Sequence, residues 1–329
     1  MKKLLFIFLP LLIIGCRNNS GKNLESFNSA WKRVEDVYPF LEYKEINWDS
    51  IYQVYKPLVE SANRKEFRII IDNMLGELKD VHVYHRKATG NLRFPYKSPR
   101  QVKDRNTVSK AVIKKYFDKH LKSSKGVFYG VSPENIGYIY FNSFTNLGLT
   151  EEFPEIFKSF KSTKGLIIDI RSPRGGDYNV FMPFVNYLIT SPMEKPELFI
   201  LERIAQAPFQ PSESEYVYTK PVIVLINGMT ISAGESTAEI LKQLPQVTLA
   251  GDTTSGGGGC SSDHDPMAEG EFSLSNNLII SVPTGYFLRY DGSHLEWNGV
   301  SPDIRVVQNE SDLKNGIDRQ LEYAINKLK

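Results

Sequence analysis

An α/β core preceded by a small helical domain is the fold class that the sequence predicts. Apolar residues recur at helical spacing over residues 24–85, and from Gly126 onward short apolar runs alternate with helical stretches. Composition agrees: the 329 residues are 41% hydrophobic and 24% charged, with 23 Gly and 18 Pro, which excludes collagenous and wholly disordered chains and is enough to bury a substantial core. The formal net charge of +2 gives no basis for a nucleic-acid partner. Two cysteines exclude a disulfide-stapled scaffold and a multi-cysteine zinc site.

The excess charge comes from Lys2 and Lys3, since no acidic residue precedes Cys16. They open a short positive segment followed by the apolar run Leu4 to Ile14, which is too short to span a bilayer comfortably and is interrupted by Pro10. The run closes on Ile13-Ile14-Gly15-Cys16, which resembles a bacterial lipobox. That resemblance implies cleavage before Cys16 and lipidation of its thiol, with residues 1–15 a lipoprotein signal peptide and 16–23 a polar tether. The mature chain is then lipid-anchored in the cell envelope, on the outer membrane or facing the periplasm.

Residues 24–85 read as the helical domain. Phe27, Trp31, Val34, Val37 and Tyr38 mark one helix, and Ile51, Val54, Tyr55 and Leu58 a second, opened by Asn47-Trp48-Asp49-Ser50. Ile70, Met74, Leu75 and Leu78 mark a third. Residues 86–125 read as a basic, solvated loop and a connecting amphipathic helix carrying Val112, Ile113, Tyr116 and Phe117. The core, residues 126–310, has apolar runs at 136–141, 165–170, 198–201, 221–226, 247–250 and 278–282, with helical stretches near 151–160, 177–190 and 233–243. Residues 311–329 read as a C-terminal helix.

Four segments carry chemistry. In the first, the apolar strand ending at Ile226 runs through Asn227-Gly228 into a helix opening near Ser232. A serine there sits beside unpaired helical N–H groups, which suits a nucleophile whose intermediate carries an oxyanion. It also suits a plain N-cap, with Glu235 closing a capping box. The second segment is Asp169-Ile-Arg171-Ser-Pro-Arg174-Gly175-Gly176, a strand ending in a diglycine turn whose backbone can approach a ligand. Neither it nor Gly256–Gly259 carries the Gly-Lys-Ser/Thr of a phosphate loop. The third is Asp80-Val81-His82, and the fourth runs from Glu296 through Gly299-Val300-Ser301-Pro302-Asp303.

Together and in this order, these segments resemble the serine peptidase family of the tail-specific (C-terminal processing) proteases and the tricorn core peptidase, over residues 25–310. The resemblance implies a ClpP/crotonase-like spiral of ββα units. It places Ser232 as the nucleophile, with the N–H groups of Ala233 and of Gly175 or Gly176 as the oxyanion hole. Tail-specific members use a lysine base at the position of Gly257, and no lysine occurs between Lys242 and Lys314. The tricorn-like branch uses a histidine and a glutamate at the positions of His82 and Glu296. Imidazole, with an ordinary pKa near ~6.5, accepts a serine proton at neutral pH. His82 is therefore the expected base and Glu296 its orienter, with Asp80 competing for the second role and His85 for the first. Where tricorn carries a serine before its histidine, this chain has Val81. The stretch from His85 to Gly126 is shorter than a PDZ module requires. The resemblance implies a serine endopeptidase acting on peptides or proteins through an acyl-enzyme, with no metal and no cofactor. An esterase or acyltransferase with the same triad is one alternative, and a non-catalytic ligand carrier, as interphotoreceptor retinoid-binding protein is, another.

Overall fold

The computed structural model describes residues 14–329 other than 118–120, 172–174, 214–215, 263–266 and 268. The expected signal segment up to residue 13 and the side chain of Cys16 lie outside the described residues. The chain divides into two units. One comprises the chain up to Tyr96 together with Ser261–Thr284, and the other Lys97–Cys260 together with Gly285–Lys329.

The first unit opens with α1 (Ile14–Val37), which is continuous through the stretch read as a tether. Its buried face carries Phe27, Ala30, Val34 and Val37, the helical period seen in the sequence. Helix α2 (Trp48–Ser61) is capped by Asn47, whose Oδ1 accepts the Ser50 N–H at 2.9 Å. Helix α3 (Arg64–Gly76) opens on a reciprocal Asn63–Glu66 capping box and buries Phe67, Ile71, Met74 and Leu75. Trp31 and Trp48 each donate an indole N–H to the other's carbonyl, at 3.1 and 3.0 Å, which fixes α1 against α2. Strand β1 (Tyr84–Lys87) follows the turn that holds Asp80 and His82.

The second unit starts with α4 (Pro99–Asp104) and α5 (Lys110–Phe117). Its main sheet is built from β2 (Lys122–Ser124), β3 (Val127–Val131), β4 (Gly137–Phe141), β5 (Leu166–Asp169), β8 (Val222–Ile226) and β9 (Val247–Gly251). A 3-10 turn at Leu147–Glu152 leads into α6 (Phe153–Ser159), and α7 (Tyr178–Val185) follows β5. Strands β6 (Leu198–Ile200) and β7 (Glu202–Ile204) precede β8, α8 (Ala233–Leu241) follows it, and β10 (Gly259–Cys260) ends the segment. The chain then supplies the first unit with β11 (Glu271–Ser273) and β12 (Leu278–Ser281), giving an antiparallel sheet of order β1-β12-β11. Strands β13 (Gly285–Phe287) and β14 (Ile304–Arg305) and helices α9 (Glu310–Lys314) and α10 (Arg319–Leu328) complete the second unit.

The seven-stranded sheet runs β14-β9-β8-β5-β4-β3-β2, parallel from β14 to β4 and antiparallel from there to β2. Strands β4, β5 and β8 are buried at every position because both faces of the sheet are covered, so they read as continuous apolar runs rather than alternating ones. Phe157, Phe184, Ile240 and Leu241 pack on one face, and Ile113, Phe117, Leu321 and Ile325 on the other. The mixed α/β core with a helical N-terminal part is thus the fold class expected. Two features differ in detail. The first unit also carries a sheet, two of whose strands come from residues that the sequence pattern assigns to the core. The basic stretch after residue 86 contains α4, whose Arg100 donates to the carbonyls of Thr254 at 3.3 Å and Trp297 at 2.9 Å, so part of its charge is structural.

Candidate active site

Ser232 stands between β8 and α8. The turn before it is tied down residue by residue. The Gly228 N–H donates to Asp104 Oδ2 at 2.8 Å, the Met229 N–H to Asn227 Oδ1 at 2.9 Å, and the Thr230 hydroxyl to the Ile170 carbonyl at 2.7 Å. Gly228 is required there, because a Cβ would stand 2.3 Å from the Arg100 carbonyl oxygen. Ser232 itself holds φ 57° and ψ −124°, a conformation that costs an L-residue on the order of 1–3 kcal/mol. Such strain persists only where the surroundings over-determine it. Helix α8, buried along its whole length, and β8 behind it supply that constraint.

The diglycine turn lies against this serine. Gly175 has φ +71°, and a Cβ placed on it would stand 2.8 Å from Ser232 Cβ and 3.2 Å from Ser232 Oγ. Its carbonyl accepts the Phe144 N–H at 3.0 Å, and the Phe144 carbonyl accepts the Asp177 N–H at 2.7 Å. A Cβ on Gly176 would meet that same Phe144 oxygen at 2.3 Å. Both glycines are therefore fixed by close backbone approach, one to Ser232 and one to Phe144. Ala233, the first residue of α8, is buried beside Ser232.

A buried carboxylate organises the other side of the turn. Glu235 Oε2 accepts the Ser232 N–H at 3.2 Å and the Gly257 N–H at 2.8 Å, while Oε1 accepts the Thr254 hydroxyl at 2.6 Å and the Gly256 N–H at 2.7 Å. Glu296, also buried, accepts the next amide, that of Gly258, on Oε2 at 2.9 Å. The glycine run is thus a strap between two carboxylates, and Gly257 spends its N–H on Glu235. Glu235 appears in the sequence only as a capping residue; its role as a hub depends on the return of residues 254–257 from beyond β9, which no local pattern reveals.

Below the turn lies a fully buried ionic cluster. Arg171 forks onto Asp169 at 3.0 and 2.6 Å and onto Asp318 at 2.8 and 2.8 Å, and Tyr138 donates its hydroxyl to Asp169 at 2.9 Å. It joins the end of β5, just ahead of the diglycine turn, to the N-cap of α10.

His82 belongs to the first unit. It follows Lys79, at φ 46°, and Asp80, and its backbone N–H donates to Asp80 Oδ1 at 2.8 Å. The same oxygen lies 3.7 Å from His82 Nδ1. Burial works to raise the Asp80 carboxyl, and the His82 ring and the Lys44 ammonium outweigh it, holding the group well below the usual carboxylate range. His85, the competing base in the sequence, is buried with Nε2 2.9 Å from Asp72 Oδ1, and Asp72 also takes a forked pair of bonds from Arg93 at 2.9 and 2.8 Å. The structure therefore commits His85 to a local ionic cluster. His294 packs its ring 4.9 Å from that of Tyr286, and His264 lies outside the described residues. Cys260 is a free thiol whose pKa burial pushes up to about 12. No helix among the described residues is long and apolar enough to cross a membrane.

Comparison with known proteins gives the family. The tricorn protease C1 domain matches residues 22–76, and peptidase family S41 matches residues 135–306. The chain is 26% identical to the carboxy-terminal processing protease CtpA of Bacillus subtilis (strain 168) over 183 residues, 55% of this chain and 37% of that protein. It is 26% identical to the tricorn protease of Thermoplasma acidophilum over 197 residues, 60% of this chain and 17% of that one. The matched part thus spans well under half the length of either curated relative. A crystal structure of a candidate peptidase from Parabacteroides merdae ATCC 43184 superposes with a TM-score of 0.80 at 25% identity, covering 93% of this chain and 96% of that one. The S41 match takes in more than half the chain, from β4 to β14, and includes the strained serine, the diglycine turn and both carboxylates of the glycine strap: the chain belongs to peptidase family S41.

Proposed function

We propose that the chain is a serine endopeptidase working through an acyl-enzyme. Ser232 is the nucleophile, His82 the general base and Glu296 the carboxylate that orients it, while the Ala233 N–H and a Gly175 or Gly176 N–H form the oxyanion hole. The approach of Gly175 to Ser232 Oγ at the N-terminus of α8 carries this reading. It puts a backbone turn that no side chain could occupy next to a strained serine and a positive helix end.

In the proposed reaction His82 takes the Ser232 hydroxyl proton as Oγ bonds to the carbonyl carbon of a peptide. The carbonyl π pair moves onto oxygen, where the N–H donors stabilise it. Collapse re-forms the carbonyl and breaks the C–N bond, and the leaving nitrogen takes the proton from the imidazolium. Water, deprotonated by His82, then displaces Oγ in the same way. Asp80, at 3.7 Å from Nδ1, acts on the ring's charge, and Glu296 on its orientation.

A fluorophosphonate probe tests this. It should label the wild-type chain and not Ser232→Ala, and labelling should fall with His82→Ala and persist with His85→Ala. Labelling of the Ser232→Ala protein at the wild-type rate overturns the assignment of the nucleophile. A folded wild-type chain that resists the probe favours the ligand carrier. Ester turnover without cleavage of a peptide library favours the esterase. The lipobox-like residues before Cys16 support anchoring of the enzyme in the cell envelope through a lipid on that thiol. Metabolic labelling with a fatty acid, lost in Cys16→Ala, tests that part.

A further inference from the structure

Behind Asp80 lies a second charge that the reaction as proposed does not use. Lys44 is buried with its side chain wholly shielded from solvent. Its Nζ donates to the Tyr38 hydroxyl at 2.8 Å and to the Leu78 carbonyl at 3.0 Å, and lies 3.6 Å from Asp80 Oδ2. The Tyr38 hydroxyl in turn donates to that same Oδ2 at 2.8 Å. The chain of contacts runs from Lys44 through Tyr38 to one oxygen of Asp80, and from the other oxygen to the backbone and ring of His82. A buried ammonium is costly unless it is paired and hydrogen-bonded, and Lys44 meets both conditions through the turn that presents His82.

We propose that Lys44 is a positioning residue for the base, holding the Asp80 carboxylate in place behind His82 and offsetting its pull on the imidazole. A carboxylate alone at this distance stabilises imidazolium and would leave the ring protonated, hence unable to accept a proton, over part of the neutral range. The lysine's opposite charge brings the ring back toward neutrality. Among the contacts described within the first unit, Asp80 acts on His82 directly, and Lys44 and Tyr38 act through Asp80. Ser232 and Glu296 are the further groups that the proposed reaction brings to the ring. The inference rests on the reading of His82 as base for its catalytic meaning, but not for its electrostatic content.

The test is a titration of the His82 ring by NMR in the full chain carrying Ser232→Ala, which needs no turnover. Lys44→Met should raise the His82 pKa by about one unit and Lys44→Arg should leave it within a few tenths. The acid limb of fluorophosphonate labelling in the chain with Ser232 intact should move to higher pH by the same amount. Asp80→Asn should lower the pKa, and adding Lys44→Met to Asp80→Asn should bring it back up. That last pair isolates the lysine's charge if Lys44→Met alone does not fold. An unchanged His82 titration in folded Lys44→Met, or no difference between Asp80→Asn and the double variant, overturns the inference. If the titrations shift as expected while His82→Ala labels as fast as wild type, the charge relation stands and the assignment of the base falls.

Discussion

Glu235 and Glu296 hold consecutive amides of one glycine run, Glu235 those of Gly256 and Gly257 and Glu296 that of Gly258. Because Glu235 also takes the N–H of Ser232, the serine's backbone and the Glu296 carboxylate are parts of one hydrogen-bonded frame. Replacing Glu235 with Gln keeps the size but puts an NH2 donor among N–H and O–H donors. Glu235→Gln should therefore lose about 2–4 kcal/mol of stability, since hydrogen bonds to a charged group contribute about 1.5–3 kcal/mol each. Urea unfolding measures the loss, and fluorophosphonate labelling should fall with it even under conditions where the chain stays folded.

Gly175→Ala puts a methyl group 2.8 Å from Ser232 Cβ at a φ that disfavours any side chain. The expected outcome is a folded protein whose labelling rate drops on the order of 100-fold, the scale of losing one oxyanion donor. Circular dichroism checks the fold and the labelling time course checks the rate. An unchanged rate would mean that the turn is free to move away from the serine.

Arg171→Met removes the cation between Asp169 and Asp318 and leaves two carboxylates buried without it. Breaking such a pair costs about 3–5 kcal/mol, more than the packing of a methionine returns. A large fall in Tm is expected, with recovery when Asp169→Asn and Asp318→Asn are added.

Acid should destabilise the chain in two stages. Burial lowers the His85 imidazole below its ordinary pKa against the opposing pull of Asp72. The unfolded chain then binds the proton more readily than the folded one, and stability falls as pH drops through ~6.5. Burial works to raise Asp72, but Arg93 and His85 outweigh it and leave the carboxyl below its usual range, as Asp80 is left by His82 and Lys44. Their contribution is present above ~4 and is lost as pH falls through the carboxylate range. Thermal melts from pH 8 to pH 3 should show both steps, and His85→Gln should remove the first.

Cys260, with its thiol raised to about 12, should resist iodoacetamide at pH 8 in the folded chain and react promptly in urea. Mass spectrometry of the two samples reads the difference.

The sequence made the core strands legible because a sheet covered on both faces demands unbroken apolar runs, as at 221–226 and 165–170. It also marked Ser232 and the diglycine turn, where helix start and glycine pair coincide. It missed β1, β2, β3, β7, β10, β11, β13 and β14, strands of two to five residues that carry no clear period of their own and are fixed by the strands they pair with. Lys44 was invisible for a related reason: a lysine on a helical stretch reads as solvated until a distant aspartate is seen to bury with it. The same holds for Arg100, which reads as one more charge in a basic loop but caps the carbonyls of Thr254 and Trp297.

The excursion of Ser261–Thr284 into the first unit bears on how the chain is made. Strand β1 hydrogen-bonds to β12, almost two hundred residues further along a nascent chain. While the ribosome is still translating the second unit, α1 to α3 can already pack, but β1 has an open edge. A recombinant fragment stopping at Tyr96 would keep that edge permanently, exposing the backbone of Tyr84–Lys87 that β12 otherwise covers. Fusing Ser261–Thr284 to it through a short linker would close the sheet, so the helical unit is heritable as a module only in two pieces.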